Sequence, residues 1–91
     1  MRVKKFGYQL DYNIEFVGCG FQEHYFTTFK NGYSASIIRG YYTYGGEKNL
    51  YEVAALDEDG EIVYDKFGSD DVLGFLSEKE VKKALSIIEN L

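Results

Sequence analysis

A chain of 91 residues with 45% hydrophobic and 18% aromatic side chains can bury one modest core, which excludes global disorder and predicts a single domain spanning 1–91. Its one cysteine, Cys19, excludes an internal disulfide, and no run approaches the roughly 20 apolar residues of a membrane helix. The net charge of −5 is uneven, since residues 1–50 carry six basic and four acidic side chains and residues 51–91 carry four and eleven.

The first predicted element is a strand from Phe6 to Phe16, in which large side chains alternate with small or polar ones. This two-residue period places the large side chains on one face, as in an antiparallel sheet whose other face is exposed to solvent. They are Phe6, Tyr8, Leu10, Tyr12, Ile14 and Phe16. The glycines around Cys19 then predict a turn or bulge. Residues 1–20 are interpreted either as part of the domain or as an N-terminal extension.

The second predicted element is a hairpin. Residues 21–30 are rich in Phe, Tyr and Thr, which favour a strand, and residues 33–39 form its partner. Between them stands Asn31-Gly32, a dipeptide that accepts positive φ at both central positions of a type I′ turn.

A second hairpin and a helix complete the chain. Residues 50–56 predict a central strand, residues 57–60 a turn with Gly60 in a left-handed position, and residues 61–67 a last strand. The apolar piece 72–76 is interpreted as a helical turn. Ser77 and Glu80 then predict a capping box, followed by a helix to about Asn90. Its apolar stripe is predicted to contain Val81, Ala84, Leu85, Ile88 and Leu91.

These elements predict an α+β fold, in which a small antiparallel sheet of four to five strands, arranged in hairpins, is covered by one C-terminal helix. We find no internal repeat in the sequence.

The sequence offers no recognisable catalytic or metal-binding motif. His24, the only histidine, follows Glu23, but strand neighbours point to opposite faces, so we interpret it as structural. A Cys19–His24 dyad is the weaker alternative. The acidic run 57–61 lacks the ligand spacing of a calcium loop. We therefore predict no enzyme activity, no cofactor and no metal.

Two features favour recognition of a protein. The first is the loop at residues 40–49, where Tyr41, Tyr42 and Tyr44 offer large contact area at low entropic cost, unless they only cover the sheet. The second is the acidic stretch 52–71, which contains eight carboxylates and only one lysine. It disfavours nucleic acid and favours a basic protein surface, unless it serves solubility alone. Glu58, Asp70 and Asp71 are its candidate contacts, although Asp70 and Asp71 also suit a helix cap.

From Phe29 onward the chain resembles a family of short phage and prophage proteins of unestablished function. The resemblance rests on an Asn-Gly hairpin, a Tyr-Gly loop, a Tyr-Asp pair and an Asp-Val-x-Gly-x-Leu segment. They stand at Asn31-Gly32, Tyr44-Gly45, Tyr64-Asp65 and Asp71–Leu76. The chain departs from the family where Lys66-Phe67 replaces Thr-Pro. Because the family has no established activity, the resemblance implies only a biological setting, in which small phage proteins often bind and redirect host proteins.

The sequence thus predicts a phage-type accessory protein in the cytoplasm of a bacterial host. We expect it to bind a protein partner, as an acidic inhibitor of a nucleic-acid-binding or defence protein. The alternative is a self-associating structural domain, a homo-oligomer whose interface includes Tyr8 and Tyr12.

Overall fold

A computed structural model describes residues 1–17, 20–40, 50–63 and 72–91 of the chain. Within them, one sheet has its strands in chain order, each antiparallel to its neighbours, and one helix follows. The elements are β1 (Arg2–Lys5), β2 (Tyr8–Val17), β3 (Gly20–Thr28), β4 (Ser34–Gly40), β5 (Tyr51–Leu56), β6 (Val72–Leu76) and α1 (Glu78–Glu89). The predicted α+β fold with a C-terminal helix is confirmed. The sheet has six strands rather than four to five: β2 to β5 correspond to four predicted strands, and β1 and β6 were not predicted as strands.

The turn between β1 and β2 corrects the first prediction. Phe6 does not lie in a strand but in this two-residue turn, where its φ is 56° and that of Gly7 is 83°. Positive φ is unfavourable for a bulky residue. The conformation is offset by burial of the Phe6 ring, which meets Tyr25 and Tyr51 edge-on at centroid distances of 5.5 and 5.1 Å.

The hairpin at Asn31-Gly32 is confirmed, but its predicted turn type is wrong. The Gly32 amide donates to the Phe29 carbonyl at 3.1 Å, so Lys30 and Asn31 are the central residues. Only Gly32 has positive φ, at 90°. The turn is therefore of the three-residue kind that ends in a left-handed glycine.

The outer edge of β5 is shared by two segments. Gly60 has the predicted positive φ, 80°, and the turn brings Ile62 into a bridge with Leu56. Residues 64–67 of the predicted last strand lie outside the described residues. Further along the edge, β6 pairs with β5, so the interpretation of 72–76 as a helical turn is wrong. A strand forms there because β4 satisfies only one edge of β5, and the backbone groups on the other edge need a partner.

The helix α1 begins with the predicted capping box. The Glu80 amide donates to Ser77 Oγ at 3.3 Å, and the Ser77 amide donates to Glu80 Oε1 at 3.1 Å. Its stripe is buried at Val81, Ala84, Leu85 and Ile88, whereas Leu91 is 40% exposed. Leu91 was wrongly included in the stripe, because α1 ends at Glu89, two residues before it.

The core lies between α1 and one face of the sheet. Alternate residues of the inner strands point at the helix and are fully or almost fully buried; they are Leu10, Tyr25, Ala35, Ile37, Tyr51, Val53 and Ala55. The helix is also tied to the first hairpin at both ends. Lys5 Nζ lies 3.2 Å from Glu78 Oε1, and the Tyr8 hydroxyl donates to Glu89 Oε1 at 3.2 Å.

Candidate functional site

The hairpin of β2 and β3 extends beyond the part of the sheet that the helix covers. A 12-residue helix is roughly 18 Å long, whereas the ten residues of β2 span roughly 33 Å. The buried side of β2 consequently changes character along the strand, from Leu10, which is fully buried, to Ile14, which is 55% exposed. We call residues 13–17 and 20–23 the hairpin arm.

The hairpin arm carries a pair of exposed aromatic rings. Phe16 and Phe21 are cross-strand partners whose centroids lie 4.9 Å apart, and they are 80% and 62% exposed. The even positions of β2 and the odd positions of β3 face the core, so both rings and Ile14 lie on the extension of the core face. Clustered aromatic side chains on a projecting element are typical of protein contact surfaces.

An ion pair fixes the base of the hairpin arm. Glu23 lies opposite Ile14, and Arg39 of β4 places Nε and Nη2 each 2.6 Å from Glu23 Oε2. The Arg39 guanidinium also lies 4.5 Å from the centroid of the Tyr51 ring. Burial alone would lower the pKa of Arg39, but the hydrogen bond to Glu23 raises it above its ordinary value.

The same carboxylate accepts two tyrosine hydroxyls. Tyr12 and Tyr25 each donate to Glu23 Oε1 at 3.4 Å. Burial, and then the charge of Glu23, raises the pKa of Tyr25 well above its ordinary value of 10. Glu23 therefore joins three strands and is paired with Arg39, and its neighbours on this face of the hairpin arm, Ile14, Phe16 and Phe21, are apolar.

The opposite face of the sheet carries a second cluster, a chain of three polar side chains from three adjacent strands. Glu15 Oε1 lies 2.7 Å from His24 Nδ1, and His24 Nε2 lies 2.9 Å from Ser36 Oγ. The His24 side chain is 28% exposed and that of Glu15 37% exposed, so the cluster is accessible to solvent. We call it the Glu–His–Ser chain.

The Glu–His–Ser chain has the order of acid, base and hydroxyl that activates a nucleophile. When the neutral ring carries its proton on Nδ1, it donates to Glu15 and accepts the Ser36 hydroxyl proton at Nε2. Phe26 pairs with Ser36 and Ile38 pairs with His24 in adjacent strands, so apolar side chains flank the two reactive groups.

Sequence reasoning missed the Glu–His–Ser chain for a specific reason. Glu23 does point away from His24, as predicted, and it binds Arg39 on the other face. The partners of His24 come instead from nine residues before it and twelve after it. Only the register of β2, β3 and β4 brings these residues together, and the alternation of side chains does not reveal register.

Of the predicted partner contacts, the structure describes Glu58 alone. Glu58 is exposed in the turn after β5 and packs against Gly32, where an added Cβ would lie 2.5 Å from Glu58 Oε1. The two turns border an open groove of about 330 Å³, lined by Asn31, Gly32, Tyr33, Asp57, Glu58 and Asp59. Tyr41, Tyr42, Tyr44, Asp70, Asp71 and Cys19 lie outside the described residues.

The groove and the hairpin arm are at opposite ends of the sheet. Phe21 lies near the start of β3 and the Asn31 turn follows its end, so roughly 23 Å of strand separates them. Gly40, the first residue of the predicted loop 40–49, belongs instead to β4 and pairs with Gln22 beside Phe21. Glu58 therefore does not share a surface with the exposed aromatic pair.

Among the residues that the structure describes, no group of three or more His, Cys, Asp or Glu side chains is arranged to hold a metal ion. No helix in the described ranges is both long and apolar enough to cross a membrane. No family model, curated protein or solved structure matches this chain.

Proposed function

We propose that this chain is a small binding protein that recognises a protein partner through the hairpin arm. The observation that carries the proposal is the exposed Phe16–Phe21 pair, which lies where β2 and β3 run past the buried core and continues the core face. Aromatic rings held in place by a sheet lose little conformational freedom on binding, so their burial contributes to affinity at low entropic cost.

The apolar pair defines the chemistry of the partner site. Since Arg39 neutralises Glu23, the hairpin arm suits an apolar cleft better than a strongly basic patch. The net charge of −5 acts at longer range, where it speeds encounter with a basic protein. The resemblance to short phage proteins supports a host protein as the partner and the bacterial cytoplasm as the location.

The acidic-inhibitor form of this proposal involves a different surface. Glu58 would contact a nucleic-acid-binding partner in place of a phosphate, together with Asp70 and Asp71. The separation of Glu58 from Phe21 means that one partner would have to span roughly 23 Å to use both. The triple change Glu58→Lys, Asp70→Lys and Asp71→Lys tests this form, and binding that survives it excludes imitation of phosphate.

Self-association is the second candidate, and one observation favours it. The six alternating residues of the N-terminal segment do not share one environment: Leu10 is covered by the helix, whereas Ile14 and Phe16 are uncovered. A second copy presenting the same face would bury the Phe16 and Phe21 rings in an isologous contact.

The test is a pull-down from a bacterial lysate with the double variant Phe16→Ser, Phe21→Ser beside the natural chain. Ile87→Ser is the matched control, because Ile87 is a 40% exposed apolar residue on the outer side of α1. We expect the double variant alone to lose the partner. Retention of the partner by the double variant would contradict the proposal.

Sedimentation of the purified proteins separates the two candidates. A dimer of the natural chain that becomes a monomer in the double variant, with no captured partner, supports self-association. A monomer in both cases, with a partner captured only by the natural chain, supports recognition of a different protein.

A further inference from the structure

We propose that Ser36 is an activated nucleophile, and that the Glu–His–Ser chain on the open face of the sheet takes up acyl groups from esters. The inference does not depend on the proposed binding function, because Phe16 and Phe21 lie on the opposite face of the sheet. It rests on the two contacts of His24, 2.7 Å to Glu15 and 2.9 Å to Ser36.

Both contacts are within the reach that proton transfer requires. The three residues stand on β2, β3 and β4, whose ladders fix their relative positions. His24 is held from both ring nitrogens, so its plane is set by the two partners rather than by solvent. A base placed between a hydroxyl and an orienting carboxylate is the arrangement that activates serine in acyl transfer.

The step balances without any further reactant. The Ser36 Oγ lone pair forms a bond to the ester carbonyl carbon while the Ser36 proton passes to His24 Nε2, and Glu15 holds the Nδ1 proton. The tetrahedral adduct then expels the alkoxide, which takes the proton back from Nε2 and leaves as an alcohol. The product is an ester on Ser36, and water repeats the sequence to release the acid.

The surroundings favour an apolar acyl group and a slow reaction. Phe26 and Ile38 flank the reactive pair and would contact the acyl chain. Ser36 pairs with Phe26 on one side and Ala54 on the other, so the neighbouring strand amides belong to the ladders. The described strands offer no free amide donor for the oxyanion, and loss of such a donor costs a serine site about 10²–10³-fold in rate. Acylation and deacylation both pass through an oxyanion, so both steps should be slow.

The experiment treats the full chain with a fluorophosphonate probe and follows intact mass, then maps the modified peptide. We expect one adduct on Ser36, absent in Ser36→Ala. Labelling should be at least about tenfold slower in His24→Gln, since the general base contributes about 10²–10⁴-fold. Glu15→Gln should be intermediate, because the ring loses its orienting charge but retains a hydrogen-bond partner.

Ser34→Ala is the matched control. Ser34 is on the same strand and face, but its hydroxyl contacts Thr28 at 3.0 Å and meets no histidine. It should label at the natural rate, and p-nitrophenyl acetate should give the corresponding acetyl mass on Ser36. The proposal is overturned if Ser36 stays unmodified while an active serine hydrolase in the same tube is labelled. It is equally overturned if folded His24→Gln labels at the natural rate.

Discussion

Asn31 donates its side-chain amide to the carbonyl of Ile88 at 2.9 Å, so the turn between β3 and β4 caps the C-terminal end of α1. The same amide lies 3.1 Å from the Glu89 carbonyl, and Asn31 Oδ1 accepts the Tyr33 amide at 3.0 Å. One side chain thus fixes its own turn and satisfies carbonyls that a helix end leaves without a partner.

Replacing Asn31 should therefore destabilise the whole domain. We expect Asn31→Ala to lower the free energy of unfolding by about 1–2 kcal/mol, because it removes a cap and the hydrogen bond that closes the turn. Urea denaturation followed by circular dichroism measures the change. Lys30→Ala, at the exposed neighbouring position, is the control and should stay within about 0.5 kcal/mol. Equal midpoints for the two variants would show that the cap contributes nothing.

The contrast between two phenylalanines tests where the core ends. Phe6 is 8% exposed and Phe16 is 80% exposed, although both belong to the same alternating run of sequence. We expect Phe6→Ala to cost about 3–5 kcal/mol and Phe16→Ala less than about 0.5 kcal/mol. Similar losses for both variants in urea would mean that the hairpin arm is packed rather than free.

The capping box predicts a loss of stability in acid. The backbone hydrogen bond from Ser77 lowers the pKa of Glu80 below its ordinary value of 4.5. A group whose pKa is lowered on folding stabilises the folded state when the pH is above its ordinary pKa. This contribution is lost as the pH falls through the lowered pKa of the folded state. The natural chain should therefore be more stable than Glu80→Gln at neutral pH, and the gap should narrow in acid, as the pH falls below the ordinary value. Denaturation curves at both pH values measure it, and a gap independent of pH would contradict the assignment.

The buried tyrosines predict a loss of stability in alkali. Burial, and then nearby charge, raises the pKa of Tyr25, and burial raises that of Tyr51. A group whose pKa is raised on folding contributes its full stabilisation when the pH is below its pKa in the unfolded chain, which is about 10 for tyrosine. That contribution falls as the pH rises above this pKa. We expect Tyr25→Phe to be less sensitive to alkali than the natural chain in urea denaturation at neutral and alkaline pH. Equal sensitivity would show that the unfolded chain ionises Tyr25 no more readily.

The elements that the sequence predicts correctly are those set by local chemistry. Ser77 and Glu80 form their capping box from four consecutive residues, and Gly60 adopts positive φ within its own turn. The type of the Asn31 turn was mispredicted because its geometry is completed by the end of a helix 57 residues away. The strand β6 was missed because a five-residue apolar run suits either state until a partner edge decides between them.

The candidate site was less accessible to sequence reasoning for a different reason. Alternation correctly groups Leu10 with Ile14 and Phe16 on one face, but the length of the helix determines which of them are covered. The contacts of His24 with Glu15 and Ser36 depend on register across two ladders. Both depend on how elements are placed relative to one another, so neither can be predicted from one segment alone.

The composition of β1 bears on how this sheet meets other molecules. Among the described residues it is the first strand in the sheet order, and an edge strand in many proteins recruits a further strand from another chain and begins aggregation. Here β1 is only four residues long, three of them Arg2, Lys4 and Lys5, and it pairs with residues 8–11 of β2. A short, positively charged edge disfavours growth of the sheet by strand addition. Along β1, association is thereby directed away from the backbone and towards side chains on the faces of the sheet.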